Sequence, residues 1–347
     1  MMNDVDPTVD DLLAAPVGVA LLDRIEEEHR EEFLPFGALP DSDPSAVRLG
    51  VRLVEEMTFG ALLAYALEAA QYIAGPWTGG VPDSLALAYE LASARRPIAE
   101  AICRRFGAQF AEPAVLESQQ CWLSEYPDSY VTEPAFRDFS RVYGNGEFTW
   151  DGFWTVTDPP PEIHDALINA WEMYPGPITR WHLPVRPGVR VWTIDHPSDW
   201  VRLVEAYPKV AEGPHYGWEL PGAWQPSTDV RRLLSVPHQR ALRTAMDRHV
   251  LPDWEAVAHD FHGVHLSWAG FLTTEGYVSD LPDGGATMLR YWWSERTLWL
   301  ADVFGDPEPV GAAELSGRVS GTVGLDALGD EDRSAQDLVE ILTTLGR

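Results

Sequence analysis

Tryptophan divides this chain into two parts of different character. Thirteen of its fifteen tryptophans lie from Trp150 onward, whereas the first 140 residues carry apolar side chains three and four positions apart. That spacing is typical of helices, and the short aromatic and β-branched segments that follow are typical of strands. We therefore predict an α+β protein in which an N-terminal all-α region precedes a Trp-rich α+β domain with a mainly antiparallel meander sheet.

The same change of pattern predicts where the domains lie. The chain has 347 residues, more than a single core usually accommodates, and 45% of them are hydrophobic, which excludes global disorder. We expect a helical domain over residues 1–142, a Trp-rich α+β domain over 143–305, and an extension over 306–347. This extension ends in a helix predicted over Ala335 to Leu345.

Several helices are predicted in the first part of the chain. The apolar spacing indicates one helix over Leu12 to Glu32 and, over Ala46 to Ile73, either one long helix or two that meet near Gly60. Another is predicted over Pro97 to Phe106, because proline suits the first helical turn and Gly107 suits a helix end.

Turn and cap residues predict a hairpin and a helix in the second part of the chain. Asp151-Gly152 between Glu147–Trp150 and Phe153–Thr157 predicts a hairpin, since Asp-Gly favours the two-residue turns that join antiparallel strands. Asp199 to Ala206 is predicted as a helix capped by Ser198.

The last predicted strands form the meander. They run over Val264–Thr273, Gly276–Leu281, Thr287–Trp293 and Thr297–Phe304, with a turn at Asp283-Gly284.

Charge restricts the partners of this protein. The formal net charge is −29 at pH 7, and such a body repels phosphate backbones and anionic lipid headgroups. We therefore expect no nucleic acid and no membrane among its partners. A small-molecule ligand and a basic protein partner both remain open.

We expect neither an export signal nor a membrane span. The first eleven residues are acidic where a secretory signal needs positive charge, and the apolar stretch Met57–Leu67 is too short for a span. With Cys103 and Cys121 as the only cysteines, a disulfide framework is excluded. A cytoplasmic location is the resulting prediction.

The cofactor stays unknown, because the sequence contains neither a Gly-x-Gly-x-x-Gly motif nor a P-loop.

Ionisable residues in the predicted meander are the candidate catalytic groups. His265 and Glu295 beside tryptophans would have shifted pKa values suited to acid–base chemistry. Arg290 could hold a substrate carboxylate or phosphate, for which a guanidinium is well shaped. Structural roles for each of these side chains are the competing interpretation.

Aromatic side chains are the candidate lining of a ligand pocket. Large numbers of indole rings serve mostly as core, but some could form a pocket for sugars, nucleobases or aromatic compounds. The residues selected are Trp218, Trp224, Trp268, Trp292 and Trp293.

Histidine spacing raises a weaker metal hypothesis. His259, His262 and His265 are three residues apart, but a helix-to-strand change at Gly263 would separate their rings. We therefore predict no metal site and keep these three as weak candidates only.

The order Arg190, Ser267, Glu295 is similar to that of ADP-ribosyltransferase-like domains. Trp293 stands where a second glutamate is expected, so this order is a minor alternative. The leading hypothesis is an enzyme or small-molecule-binding protein with an aromatic-lined pocket in the C-terminal α+β domain. The main alternative is a non-catalytic acidic interaction protein of the immunity or inhibitor type.

Overall fold

The computed structural model describes most of the chain up to Ala313. The described residues are 7–28, 44–74, 88–124, 152–157, 159, 163–164, 167, 178–210, 250–289 and 292–313. Residues Met1–Ala313 form one compact unit, and a second unit, Glu314–Arg347, lies outside the described residues together with the predicted C-terminal helix.

The N-terminal part is helical, as predicted. Its helices are α1 (Val9–Ala14), α2 (Pro16–Glu27), α3 (Pro44–Glu56), α4 (Phe59–Ala74) and α5 (Arg96–Phe110), with a 3₁₀ turn at Ala92–Arg95. Of the two alternatives for Ala46–Ile73, one long helix or two, the structure shows two, α3 and α4. The single helix predicted from Leu12 is wrong in one respect, because Ala15 is extended between α1 and α2 and Pro16 begins the second helix.

Gly107 does not end a helix. It lies buried inside α5, which continues to Phe110. The rings of Phe106 and Phe110 pack on Phe59 with centroids 5.7 and 5.2 Å apart. This packing offsets the roughly 1 kcal/mol that glycine costs inside a helix, so the predicted stop was overridden by tertiary contacts.

A seven-stranded, mostly antiparallel sheet follows, and the α+β class is confirmed. Its order is β11-β3-β1-β2-β10-β7-β4, and only the β4–β7 pair is parallel among the described strands. The strands of this sheet are β1 (Ser118–Ser124), β2 (Phe153–Thr157), β3 (Ile178–Pro184), β4 (Val191–Ile194), β7 (Gly263–Leu266), β10 (Arg296–Trp299) and β11 (Glu308–Ala313). Two small two-stranded sheets pair β5 (Pro208–Val210) with β6 (Val250–Pro252), and β8 (Val278–Asp280) with β9 (Ala286–Met288).

Within the described residues, three more helices connect these strands. They are α6 (Pro197–Ala206), α7 (Trp254–Asp260) and α8 (Trp268–Thr274). The helix predicted from Asp199 is confirmed, but its cap is His196 rather than Ser198: the His196 side chain accepts the N–H of Ser198. Asp253 caps α7 by accepting the N–H groups of Glu255 and Ala256.

The strand predicted over Val264–Thr273 is wrong in its second half. The strand β7 ends at Leu266, and Ser267 then caps α8 by accepting the N–H of Gly270. The residues of α8 are buried on several sides, so they read as a continuous apolar run that periodicity cannot assign to helix or strand. The β8–β9 hairpin around Asp283-Gly284 is present, but the strand predicted over Thr287–Trp293 already ends at Met288.

The hairpin predicted around Asp151-Gly152 is described only in part. Phe153–Thr157 is a strand as predicted, whereas 147–151 lie outside the described residues. Residues 142 and 143, the predicted domain boundary, also lie outside the described residues. The domain limits therefore stay predictions. Among the described residues, no helix combines the length and apolar character needed to cross a bilayer.

The two faces of the large sheet differ in character. Side chains alternate along a strand, so Trp154, Leu266 and Leu298 point to one face and Thr155 and His265 to the other. The first face shares a hydrophobic core with the N-terminal helices and with α6 and α8; we call it the helix-side face. The opposite face, which carries Thr155, His265 and Thr297, is called the polar face.

Candidate functional site

Strand register aligns polar side chains across the polar face. Thr297 on β10 is paired with His265 on β7 and with Thr155 on β2. All three side chains have 0% exposure. Buried polar groups need hydrogen-bond partners, so the partners of this row decide which of its members are structural.

One end of the row is closed by internal hydrogen bonds. The Trp299 indole N–H donates to Thr155 Oγ1 at 2.6 Å, and the Thr155 hydroxyl donates to Gln119 Oε1 at 2.5 Å. The Gln119 amide in turn donates to the Leu116 carbonyl at 3.4 Å. Because each group has a partner, this end has a structural role.

The other end contains buried polar atoms without described hydrogen-bond partners. His265 Nδ1 lies 3.0 Å from Thr297 Oγ1 and 3.6 Å from Glu295 Oε1, which also accepts the N–H of Thr157 at 3.3 Å. His265 Nε2 and Glu295 Oε2 are buried, and neither has a hydrogen-bond partner among the described residues. Two buried polar atoms of adjacent acid–base residues thus lack a described hydrogen-bond partner.

Burial changes the proton affinity of both groups in opposite directions. Burial lowers the pKa of His265 to about 3, because the imidazolium loses its hydration. Burial also raises the pKa of Glu295 to about 8, against hydrogen bonds from Thr157 and the charge of Arg296, which lower it. At neutral pH the pair therefore consists of a neutral imidazole and a protonated carboxyl group.

The neutral pair can both donate and accept a proton. Since the Thr157 N–H donates to Oε1 of Glu295, the acid proton is placed on Oε2, the oxygen without a described partner. The Thr297 hydroxyl can donate to His265 Nδ1 or accept from it, so it stabilises either tautomer of the ring. With Nδ1 protonated, Nε2 presents a lone pair that can act as a base.

Thr297, Thr155 and Thr157 were not selected from the sequence. The available signal was the alternation of polar and apolar residues along a strand, as for Thr155 between Trp154 and Val156. That alternation does not show which strands pair with β2 and β10. Their contribution depends on the pairing of β10 with strands far away in sequence.

Arg290, the predicted anion-binding residue, lies outside the described residues. The neighbouring arginine of β10, Arg296, is on the helix-side face, where its guanidinium lies 4.8 Å from the Trp154 ring centroid and 5.6 Å from that of Trp293. Burial lowers the pKa of Arg296 to about 9, while the charges of Glu275 and Glu295 raise it. Its aromatic contacts and burial indicate a structural role.

The three described candidate tryptophans are not on the polar face. Trp292 packs edge-on against Trp154 at 4.8 Å, and Trp268 packs against Phe271 at 6.0 Å, both within the helix-side core. Trp293 contacts Arg296 and has φ of 62°, an uncommon conformation for a bulky residue. Trp218 and Trp224 lie outside the described residues, so their role as pocket lining stays a prediction.

The three weak metal candidates are separated. His259 is exposed on α7, His262 Nδ1 accepts the backbone N–H of Arg190 at 3.0 Å, and His265 is buried on the polar face. Within the part of the chain that the structure describes, no three His, Cys, Asp or Glu side chains are grouped to hold a metal ion. Ser267, placed on a strand by the ADP-ribosyltransferase-like order, is instead the cap of α8.

Comparison with known proteins adds no assignment to this geometry. No protein-family model matches the chain, and neither curated proteins nor solved structures give a significant match. The arrangement of His265 and Glu295 is therefore the main basis for a functional proposal.

Proposed function

We propose that this protein is an acid–base enzyme, or a binding protein, for a small uncharged polar molecule held at His265 and Glu295. The observation that supports it is the pairing of two buried ionisable side chains, 3.6 Å apart, each with a buried atom that has no described partner. A polar ligand would provide the missing hydrogen bonds.

The proposed roles follow from the proton positions. Glu295 is the acid, since its protonated form is favoured at neutral pH, and His265 is a weak base, since its neutral form is favoured and its pKa is about 3. A reaction that needs one proton removed and one supplied, such as an enolisation, a dehydration or a hydrolysis, suits this pair. An uncharged ligand is favoured because a buried charge needs an opposite charge nearby.

Further predictions from the sequence are retained as proposals. Trp218 and Trp224 are proposed as pocket lining, and a cytoplasmic location is proposed for the protein. A basic protein partner stays a prediction, to be tested by salt-sensitive capture of a purified basic protein.

A thermal-shift screen tests the proposal with purified full-length protein. Uncharged sugars, nucleosides and aromatic metabolites are compared with carboxylated or phosphorylated counterparts at pH 7. A ligand at one hundred times its dissociation constant adds about 2.7 kcal/mol to the free energy of unfolding, which raises the melting temperature by several degrees.

Three variants make the screen specific. Glu295→Gln and His265→Gln should abolish the shift given by an uncharged hit, whereas Glu275→Gln should retain it. Glu275 is the matched control, because it is also a buried carboxyl group and accepts the N–H of Trp292 at 3.2 Å. A hit whose shift survives both site variants, in protein with wild-type circular dichroism, would disprove the assignment.

A further inference from the structure

The carboxyl ends of β4 and β7 form a second place of chemical interest. These two strands are parallel neighbours, and each leads directly into a helix, α6 and α8 respectively. Ligand and catalytic groups commonly lie at the carboxyl ends of parallel strands. In this protein the connection from Asp195 to Ser198 lies at that edge, held by Asp199, whose Oδ2 accepts the N–H groups of Asp195 and His196.

A serine, a histidine and an aspartate are linked at this edge. Ser198 Oγ lies 2.9 Å from His196 Nδ1, and His196 Nε2 lies 3.3 Å from Asp11 Oδ1. The backbone N–H of Ser198 also points to Nδ1, at 3.2 Å. Because a backbone N–H can only donate, Nδ1 is the unprotonated nitrogen, and the ring proton is on Nε2, directed at Asp11.

Asp11 is oriented for this contact by its own helix cap. Its Oδ2 accepts the N–H of Thr8 at 2.8 Å and the Thr8 hydroxyl at 2.5 Å, which leaves Oδ1 for His196. A base nitrogen facing a serine hydroxyl, with the opposite N–H held by a carboxylate, is the arrangement that activates serine nucleophiles.

We propose that Ser198, His196 and Asp11 form a nucleophilic site for small uncharged or cationic acyl esters, separate from the His265–Glu295 pair. Ser198 Oγ forms a bond to the acyl carbon while its proton moves to His196 Nδ1. The alkoxide that leaves takes this proton, and a water molecule then releases the acid and restores the serine.

Accessibility and charge define the substrate class. Ser198 is exposed, and the His196 side chain is 46% exposed, so an ester can reach both from solvent. Asp11 and Asp199 are close to the ring, with Arg202 bound to Asp199. With a net charge of −29 on the whole chain, anionic esters are repelled and uncharged or cationic ones are not.

Labelling with an uncharged alkyl fluorophosphonate tests the proposal on intact wild-type protein. The serine oxygen forms a bond to phosphorus, fluoride leaves, and His196 accepts the hydroxyl proton. Peptide mass spectrometry then identifies which serine carries the adduct. We expect the adduct at Ser198.

Ser45 is the matched internal control. Both Ser45 and Ser198 are exposed and follow the proline that begins a helix, in α3 and α6, but the described hydrogen-bond partner of Ser45 is Arg48. If accessibility alone determined the rate, the reagent would label both serines equally fast. We expect labelling of Ser198 to be at least about tenfold faster, as for a base-assisted nucleophile, and equal rates would overturn the proposal.

Two substitutions test the role of the other residues while sparing the fold. His196→Asn keeps a residue that caps helices well but removes the base, so it should reduce labelling of Ser198 to the rate of Ser45. Asp11→Asn should slow labelling by about tenfold, since the carboxylate no longer orients the ring. Wild-type rates in either variant, with unchanged circular dichroism, would contradict the assignment.

The pH dependence and the ester series provide independent readouts. The hydrogen bond to Asp11 raises the pKa of His196, so labelling should reach half its maximum above the ordinary histidine pKa of about 6.5. Acetylation of Ser198 by p-nitrophenyl acetate should be at least about tenfold faster than acylation by the anionic p-nitrophenyl hemisuccinate. A rate that is independent of pH, or equal for both esters, would contradict the site or its substrate class.

Discussion

Arg95 donates from Nε to Glu26 at 2.5 Å, and both side chains are fully buried in the helical part of the protein. Arg95 also donates to the Ala88 carbonyl at 3.1 Å and forms an ion pair with Asp23. Since Arg95 belongs to the 3₁₀ turn before α5 and Glu26 to α2, this contact connects two segments that are 69 residues apart.

Arg95→Met should destabilise the protein strongly. It leaves the carboxylate of Glu26 buried without its cation, which costs about 3–5 kcal/mol. Urea unfolding followed by circular dichroism measures the loss as a lower midpoint.

Two further variants separate lost charge pairing from lost packing. The double variant Arg95→Met/Glu26→Leu should recover most of the stability, because no uncompensated charge remains buried. Arg104→Met is the exposed control: Arg104 and Glu55 are 3.1 Å apart with 61% and 54% exposed side chains, and such pairs contribute less than about 1 kcal/mol. A double variant no more stable than Arg95→Met would contradict this explanation.

Gly270 is required by the close approach of α8 to β4. A Cβ atom at this position would lie 2.1 Å from the backbone oxygen of Ile194 and 2.8 Å from the Leu266 side chain. Gly270→Ala should therefore lower the free energy of unfolding by about 3 kcal/mol through overpacking.

Gly284→Ala is the control for conformational effects of glycine. Gly284 has φ of +84° and would place a Cβ atom in open space, so alanine should cost only about 1 kcal/mol through backbone strain. Equal losses in the two variants, measured by urea unfolding, would show that close packing at Gly270 is unimportant.

Local signals predicted where several helices lie, but not where all of them begin. The helix predicted from Asp199 is present as α6, whereas Pro16, which begins α2, was not recognised as a helix start. The helix α8 could not be predicted in this way. Its apolar residues fit a buried strand equally well, and its position is decided by contact with β4.

The contacts within the candidate sites could not be predicted from local sequence either. His265 and Glu295 could be selected by residue type, but their contact depends on the pairing of β7 with β10. His196 and Asp11 are 185 residues apart, and nothing local to either predicts their contact. Long-range strand and helix packing therefore determines which candidates meet.

Stability should depend on pH with opposite signs for the two residues of the buried pair. The pKa of Glu295 is about 8, above its ordinary value of 4.5, so the folded state holds a proton that the unfolded state releases. Its stabilising contribution is present below pH 4.5 and is lost as pH rises through 8. The pKa of His265 is about 3, below its ordinary 6.5, so its contribution is present above pH 6.5 and lost as pH falls through 3.

Differences between variants reveal these contributions separately. The stability of wild type relative to Glu295→Gln should fall as pH rises from 4.5 to 8, and that relative to His265→Gln should rise as pH rises from 3 to 6.5. Each change should exceed about 1.4 kcal/mol, the equivalent of one pKa unit. Urea unfolding at a series of pH values measures both, and slopes of the same sign would contradict the assignment of the acid and the base.

Thr155→Val tests the closed end of the polar row. Valine has nearly the shape of threonine but leaves the Trp299 indole N–H and Gln119 Oε1 buried without their partner, at a cost of about 2–4 kcal/mol. Thr273→Val is the control, because the Thr273 hydroxyl only donates to the Ala269 carbonyl within α8, and its loss should cost less than about 1 kcal/mol. If the two variants unfold at the same urea concentration, the bonds around Thr155 do not hold β1, β2 and β10 together. The expected difference would instead show that the hydrogen bonds of Thr155 stabilise the polar face.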